Sequence, residues 1–220
     1  PEGKDTALDF NSFFVNRTFA GDGIQFTLDH LRTTTDIPDW RTETFSSLEE
    51  ARQEADFVVV GVHWGVEDSH NITQAQRTLA QSLADWGADV IIGTHPHVLQ
   101  DAEWRTAADG RNVFVAYSLG NFLSTQSKPD QLFGAILTLD LEQTTEPDGS
   151  VHCAVRGPKL HVTVTHYDAR KSNVRTYLFR DYTPELAQAH GVRAAYPSFG
   201  YDYIRQTAQT YINSEFLELA

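Results

Sequence analysis

The chain contains no methionine and a single cysteine, Cys153. One thiol excludes an internal disulfide, so the fold must rest on its own core in any redox compartment. Long apolar runs are also missing. The longest, Phe57 to Val62, falls far short of the ~20 residues that span a bilayer as a helix. Positive charge is scarce: 17 Lys and Arg against 30 Asp and Glu leave a net charge of −13. That balance excludes nonspecific nucleic-acid binding, which needs cations to neutralise phosphates. There is no phosphate-binding P-loop, no Gly-x-Gly-x-x-Gly, and no Gly-x-Ser-x-Gly elbow around Ser118. The first residues, Pro-Glu-Gly, include neither an initiator methionine nor a basic-then-apolar leader. The chain therefore reads as a piece of a longer polypeptide, with any membrane contact made through an anchor upstream.

What is present describes a packed protein. Apolar residues make up 40% and charged residues 21% of 220 residues, a composition that excludes disorder, collagen and coiled coil. A chain this long is enough for one sizeable domain or two small ones, burying roughly 70–75% of the surface its unfolded form exposes.

Residues 1–45 carry the weakest signals: Phe13 to Val15 can start a strand, Ile24, Phe26 and Leu28 alternate, and Thr33 to Thr35 read as loop. Overlapping capping boxes at Ser46-x-x-Glu49 and Ser47-x-x-Glu50 predict a short helix to about Ala55. Phe57 to Val62, Val90 to Ile92 and Val113 to Tyr117 are buried, β-branched strands, and Ala135 to Leu141 is a fourth. Between the first two, Thr73-x-x-Gln76 caps a helix with Leu79, Leu83 and Trp86 at helical spacing and Gly87 just past its end. This order predicts helices packed on a sheet, an α/β fold. After the turn at Glu146 to Gly149, residues 160–166 alternate as a half-solvated strand, with Val174 to Phe179 able to pair with it. Thr183-Pro184-Glu185 starts a helix, and a last helix is predicted from about Tyr203 to Leu217.

Three polar segments directly follow buried strands: His63-Trp64-Gly65 with Glu67, Gly93-Thr94-His95-Pro96-His97, and Ser118-Leu119-Gly120-Asn121-Phe122. Strand carboxyl ends are where open α/β sheets bind ligands. In an extended His95-Pro96-His97 the two imidazoles project to one side, placed to chelate one metal or to serve two adjacent ions. The alternative is a pair of capping histidines in a turn. His63, at a strand end, is either a hydrogen-bonded core histidine or a third ligand. Glu67 is a ligand, an orienter of an imidazole, or part of an acidic loop with Asp68. Asn121 either hydrogen-bonds a substrate oxygen or is a turn residue after Gly120. His161 and His166 lie on opposite faces of their strand.

HWGVE at 63–67, LADWGADVIIGTHPHVLQ at 83–100 and AYSLGNF at 116–122 together resemble the bacterial capsule-synthesis CapA family of poly-γ-glutamate biosynthesis. THYDARKSNVRTY at 165–177 and DYTPEL at 181–186 extend the likeness, which covers roughly residues 47–215. The resemblance implies a calcineurin-like metallophosphoesterase fold, an α/β/β/α sandwich of which this chain supplies the C-terminal half. On that basis residues 1–220 are part of one domain, with a motif-bearing α/β part at 46–145 and a β-rich part with C-terminal helices at 146–220. It further implies two divalent ions of Mn, Fe or Zn, with His63 and His95 on one and His97 on the other, and Glu67 and Asn121 near the substrate. Family members supply the remaining ligands from an upstream half bearing Gly-Asp, Asn-Leu-Glu and Asn-Asn-His motifs, and only Gly21-Asp22, read as a turn, echoes the first. The expected partners are that missing half, in the same or a second chain, or another copy of this chain, and an envelope polymer such as poly-γ-glutamate. The expected location is the bacterial cell surface.

Overall fold

A computed structural model describes residues 11–20, 23–32, 48–53, 55–149 and 151–220 of the chain. Strands β1 (Asn11–Ala20), β2 (Gly23–Arg32), β3 (Val58–His63), β4 (Val90–Thr94), β5 (Leu99–Thr106) and β6 (Asn112–Leu119) form one sheet in the order β2-β1-β3-β4-β6-β5. Within it β3, β4 and β6 run parallel, while β1, β2 and β5 are antiparallel to their neighbours. Parallel neighbours need a crossover, and helix α1 (Gln74–Asp85) supplies it between β3 and β4. A second sheet holds β7 (Phe133–Thr145), β8 (Val151–His166), β9 (Arg175–Leu178) and β10 (Leu217–Glu218), with β8 pairing the other three. Helices α2 (Pro184–Ala189) and α3 (Tyr201–Tyr211) follow β9.

Side-chain alternation builds the layers. Val58, Val60 and Val62 of β3 point to a core shared with Leu79, Ala80, Leu83 and Ala84 of α1 and Val113, Val115 and Tyr117 of β6. The opposite face, including Val90, Leu99, Phe114 and Ala116, packs on Phe133, Leu160, Val162 and Val164 of the second sheet and on Ile204 and Ala208 of α3. A helix, a sheet and a second sheet are thus stacked in an α/β architecture, with both faces of the parallel strands covered.

The helix signals hold. Thr73 and Gln76 form the capping box of α1, and Gly87 takes φ 124° just beyond it. Pro184 opens α2 behind the Thr183 cap. Residues 48–53 are helical, whereas Ser46, Ser47, Gly21-Asp22 and Thr33 to Thr35 lie outside the described residues. The last helix ends at Tyr211, six residues before Leu217, because Ile212 turns extended and carries the chain toward β10. β5 is an addition. Asp101, Glu103 and Arg105 alternate with Ala102 and Trp104, so it has no continuous apolar run, and an edge strand tolerates these charges. β7 and β8 extend beyond the predicted strands as a long hairpin with a register shift between Thr138 and Asp140.

At the amino ends of the parallel strands, Asp89 is 6% exposed and fully engaged. It accepts from Val58 N at 2.8 Å, from Arg52 at 2.7 Å and from Arg111 at 3.1 Å. Cys153 sits on β8, where burial pushes its thiol upward in pKa, in line with an inert residue.

Candidate metal centre at the strand ends

Parallel register sets the site. His63, the last residue of β3, pairs with Thr94, the last of β4, so His95 leaves β4 beside it. β6 ends at Leu119 on the same edge, and Gly120-Asn121 follow. The residue after His63 is locked. Trp64 is 1% exposed, stacks on Tyr117 at 5.5 Å, and donates its indole N–H to Tyr117 O at 2.8 Å. That bond crosses Gly93, where a Cβ would meet Tyr117 O at 2.0 Å and Trp64 Nε1 at 2.3 Å. Gly93 therefore serves a close approach of the indole and the neighbouring strand, beneath the site.

The His63 and His95 rings stand 4.4 Å apart between centroids, and those of His95 and His97 6.1 Å apart. His97 Nδ1 meets Asn121 Oδ1 at 2.9 Å. Four predicted residues, His63, His95, His97 and Asn121, are thus brought together from three strand ends. Glu67 is exposed on a turn and makes no described hydrogen bond to these imidazoles.

Two expectations need correction. His95-Pro96-His97 is a bend, with φ 98° at His95 and 60° at His97. Pro96 biases the residue before it toward extended backbone, yet tertiary contacts override that bias and hold His95 in a region costing of order 1–3 kcal/mol. The pairing of the imidazoles comes from that bend and from β3, rather than from extended alternation. The left-handed turn after β6 is taken by Gly120, at φ 64°, leaving Asn121 to act through its side chain. Its amide is committed: Nδ2 donates to Gln126 Oε1 at 2.6 Å and to Gln131 O at 2.9 Å.

Residues not singled out from the sequence support the bend. Asp68, also left-handed at φ 60°, donates its N–H to Pro96 O at 2.9 Å. Its carboxylate is held by Lys128 Nζ and Gln131 Nε2. The Lys128 bond is the main cause holding the Asp68 carboxyl below the usual carboxylate range, with Gln131 and the nearby His97 adding to it against partial burial. Beneath this loop, Gln76 Nε2 donates to Gln100 Oε1 at 2.8 Å, and Gln100 Nε2 donates to Ser69 O at 2.8 Å. His70 is fixed too, with Nδ1 2.7 Å from Leu99 O and its ring stacked on Tyr211 at 3.8 Å. Only the Glu67-Asp68 acidic pair hinted at this support, because Lys128 and Gln131 lie some sixty residues away in the chain.

The donor set fits part of a metal centre. Imidazole nitrogen suits Zn or Fe, and the 4.4 Å spacing lets two rings share an ion or serve adjacent ions. Among the described residues, no group of three or more His, Cys, Asp and Glu closes on a common point.

Residues 18–126, which include all of these strand-end residues, match the family model described as bacterial capsule synthesis protein PGA_cap. That segment, just under half of the chain, is similar to the capsule-synthesis family. Two curated relatives agree. The PGA biosynthesis protein CapA of Bacillus subtilis (strain 168) is 46% identical over 79 residues, or 36% of this chain and 20% of that protein. The capsule biosynthesis protein CapA of Bacillus anthracis is 43% identical over 72 residues, 33% of this chain and 16% of its own length. The chain thus matches a fifth or less of each relative's length. Within the family segment, the strand-end histidines are the concentration of chemistry the fold presents.

Proposed function

We propose that this chain carries the histidine side of a metallophosphoesterase-like centre in a protein of capsule, specifically poly-γ-glutamate, biosynthesis at the bacterial cell surface. The observation behind this reading is the convergence of His63, His95 and His97 at adjacent strand ends, on a bend held in left-handed backbone. His63 and His95 would hold one divalent ion and His97 a second, Mn, Fe or Zn in each case. Such ions supply Lewis-acid polarisation of a phosphoester-like or amide-like bond. The remaining carboxylate ligands would come from another part of the polypeptide or from a second chain. Val66, Phe122 and Leu123, 52%, 59% and 59% exposed on the loops after β3 and β6, offer that part an apolar rim. Poly-γ-glutamate is a polyanion, and a chain of net charge −13 would meet it through metal or a local basic patch.

A second reading has one observation in its favour, the absence of a closed three-ligand group among the described residues. In it the fold binds polymer or export partners without catalysis. Metal content and phosphodiesterase activity of the full polypeptide, before and after the double substitution His95→Ala/His97→Ala, separate the two. Loss of both supports the metallohydrolase, and survival of both rejects it. Capsule production by the same double variant then shows whether the polymer role depends on the histidines.

A further inference from the structure

Asn121 has only one way to place its amide. Gln131 O is a carbonyl and can only accept, so the group 2.9 Å from it must be the Asn121 NH2. The second N–H reaches Gln126 Oε1 at 2.6 Å. The Asn121 carbonyl is therefore the group facing His97 Nδ1 at 2.9 Å, and it too can only accept. A proton must then sit on Nδ1. The neutral His97 ring keeps its single lone pair on Nε2, across the ring from Asn121, whereas free imidazole side chains favour the opposite tautomer. Gln131 is 5% exposed, and its side chain reaches Asp68, whose N–H holds Pro96 O. The amide that chooses the tautomer and the loop that holds the bend are one connected assembly.

We infer that Asn121 is a positioning residue, which locks His97 in the Nδ1–H tautomer and presents Nε2 as its donor atom. The inference rests on the metal-centre reading only for its use, since Nε2 is then the ligand atom. A second-layer hydrogen bond that fixes the tautomer of a ligating histidine is a general device. The role differs from contact with substrate, for which the committed Asn121 amide has little capacity left.

The test is long-range proton–nitrogen NMR of histidine-labelled full polypeptide, kept metal-free in mildly alkaline buffer where a free imidazole is neutral. His97 is assigned by loss of its signals in His97→Gln. The expected wild-type pattern is a protonated-type shift at Nδ1 and an unprotonated-type shift at Nε2. Asn121→Ala should move His97 toward the Nε2–H form, and Asn121→Asp, which keeps an acceptor oxygen, should retain Nδ1–H. The Trp64 indole N–H, bonded to Tyr117 O, reports folding in the same samples. If Asn121→Ala unfolds, the wild type and Asn121→Asp decide. A wild-type His97 protonated at Nε2, or a folded Asn121→Ala with an unchanged pattern, would overturn the inference. No metal enters the measurement, so the tautomer lock and the metal centre can fail separately.

Discussion

The two ends of the parallel strands are built on opposite plans. At the amino end, Asp89 gathers Val58 N, Arg52 and Arg111 into a clamp in which each carboxylate oxygen has a donor. At the carboxyl end, Asp68, His95 and His97 all sit in left-handed backbone, and imidazoles crowd within 4.4 and 6.1 Å of one another. The first arrangement lowers energy by satisfying a buried charge. The second is held at a cost in backbone strain, offset by Gln131, Asn121 and the Gln76–Gln100 pair. Strain held in place by such supports points to a working site, while full satisfaction points to a structural joint.

The largest effect is expected directly beneath the carboxyl-end site. Gly93→Ala would put a methyl 2.0 Å from Tyr117 O and break the Trp64 brace, so strand β4 must shift. A loss of about 4 kcal/mol or more, seen as a collapse of the denaturant midpoint, is the expected outcome. Asp89→Ala should follow, at about 3 kcal/mol, because Arg52, Arg111 and the buried Val58 N–H would all lose the carboxylate they share. The strand-end histidines should keep their mutual geometry if that variant folds, which separates the joint from the site.

A histidine outside the site sharpens the contrast. His190 is 2% exposed, with Nε2 donating to Thr165 O at 2.9 Å and Nδ1 accepting from Val192 N at 3.0 Å. Protonation would destroy the second bond, and burial, the leading cause, lowers its pKa to about 4. The unfolded chain, with an ordinary histidine near 6.5, binds the proton more readily. The stability His190 provides is thus complete above about pH 6.5, falls as pH drops toward 4, and reaches a loss of about 3 kcal/mol. Denaturant midpoints measured across that window should show this slope, and His190→Gln should flatten it.

At the site itself, His95→Ala/His97→Ala should change stability by no more than about 1 kcal/mol, because the bend is held by Asp68 and its neighbours rather than by the two rings. Glu67→Gln should be smallest of all, within about 0.5 kcal/mol, as expected for an exposed turn residue. Thermal unfolding of both variants checks this ranking.

Much of this division is legible in the sequence. The strands at Val58, Val90 and Val113 show as continuous β-branched runs because both faces are covered. The α1 capping box and Gly87 are local devices that depend on neighbouring residues alone. His63, His95, His97 and Asn121 can be found from their positions just after buried strands. The bend at His95 cannot, since it is imposed by Asp68 across the loop and runs against the local preference before Pro96. Nor can the Asn121–Gln131–Asp68 assembly, whose members lie far apart in the chain. β5 is hidden because an edge strand carries charge without penalty.

X-ray absorption on the metal-loaded full polypeptide is the most direct test of the strand-end histidines as ligands. The account predicts imidazole scattering around the ion that is lost or sharply reduced in His63→Ala/His95→Ala. An ion that binds with no imidazole contribution, or whose spectrum is unchanged by that double substitution, would contradict it.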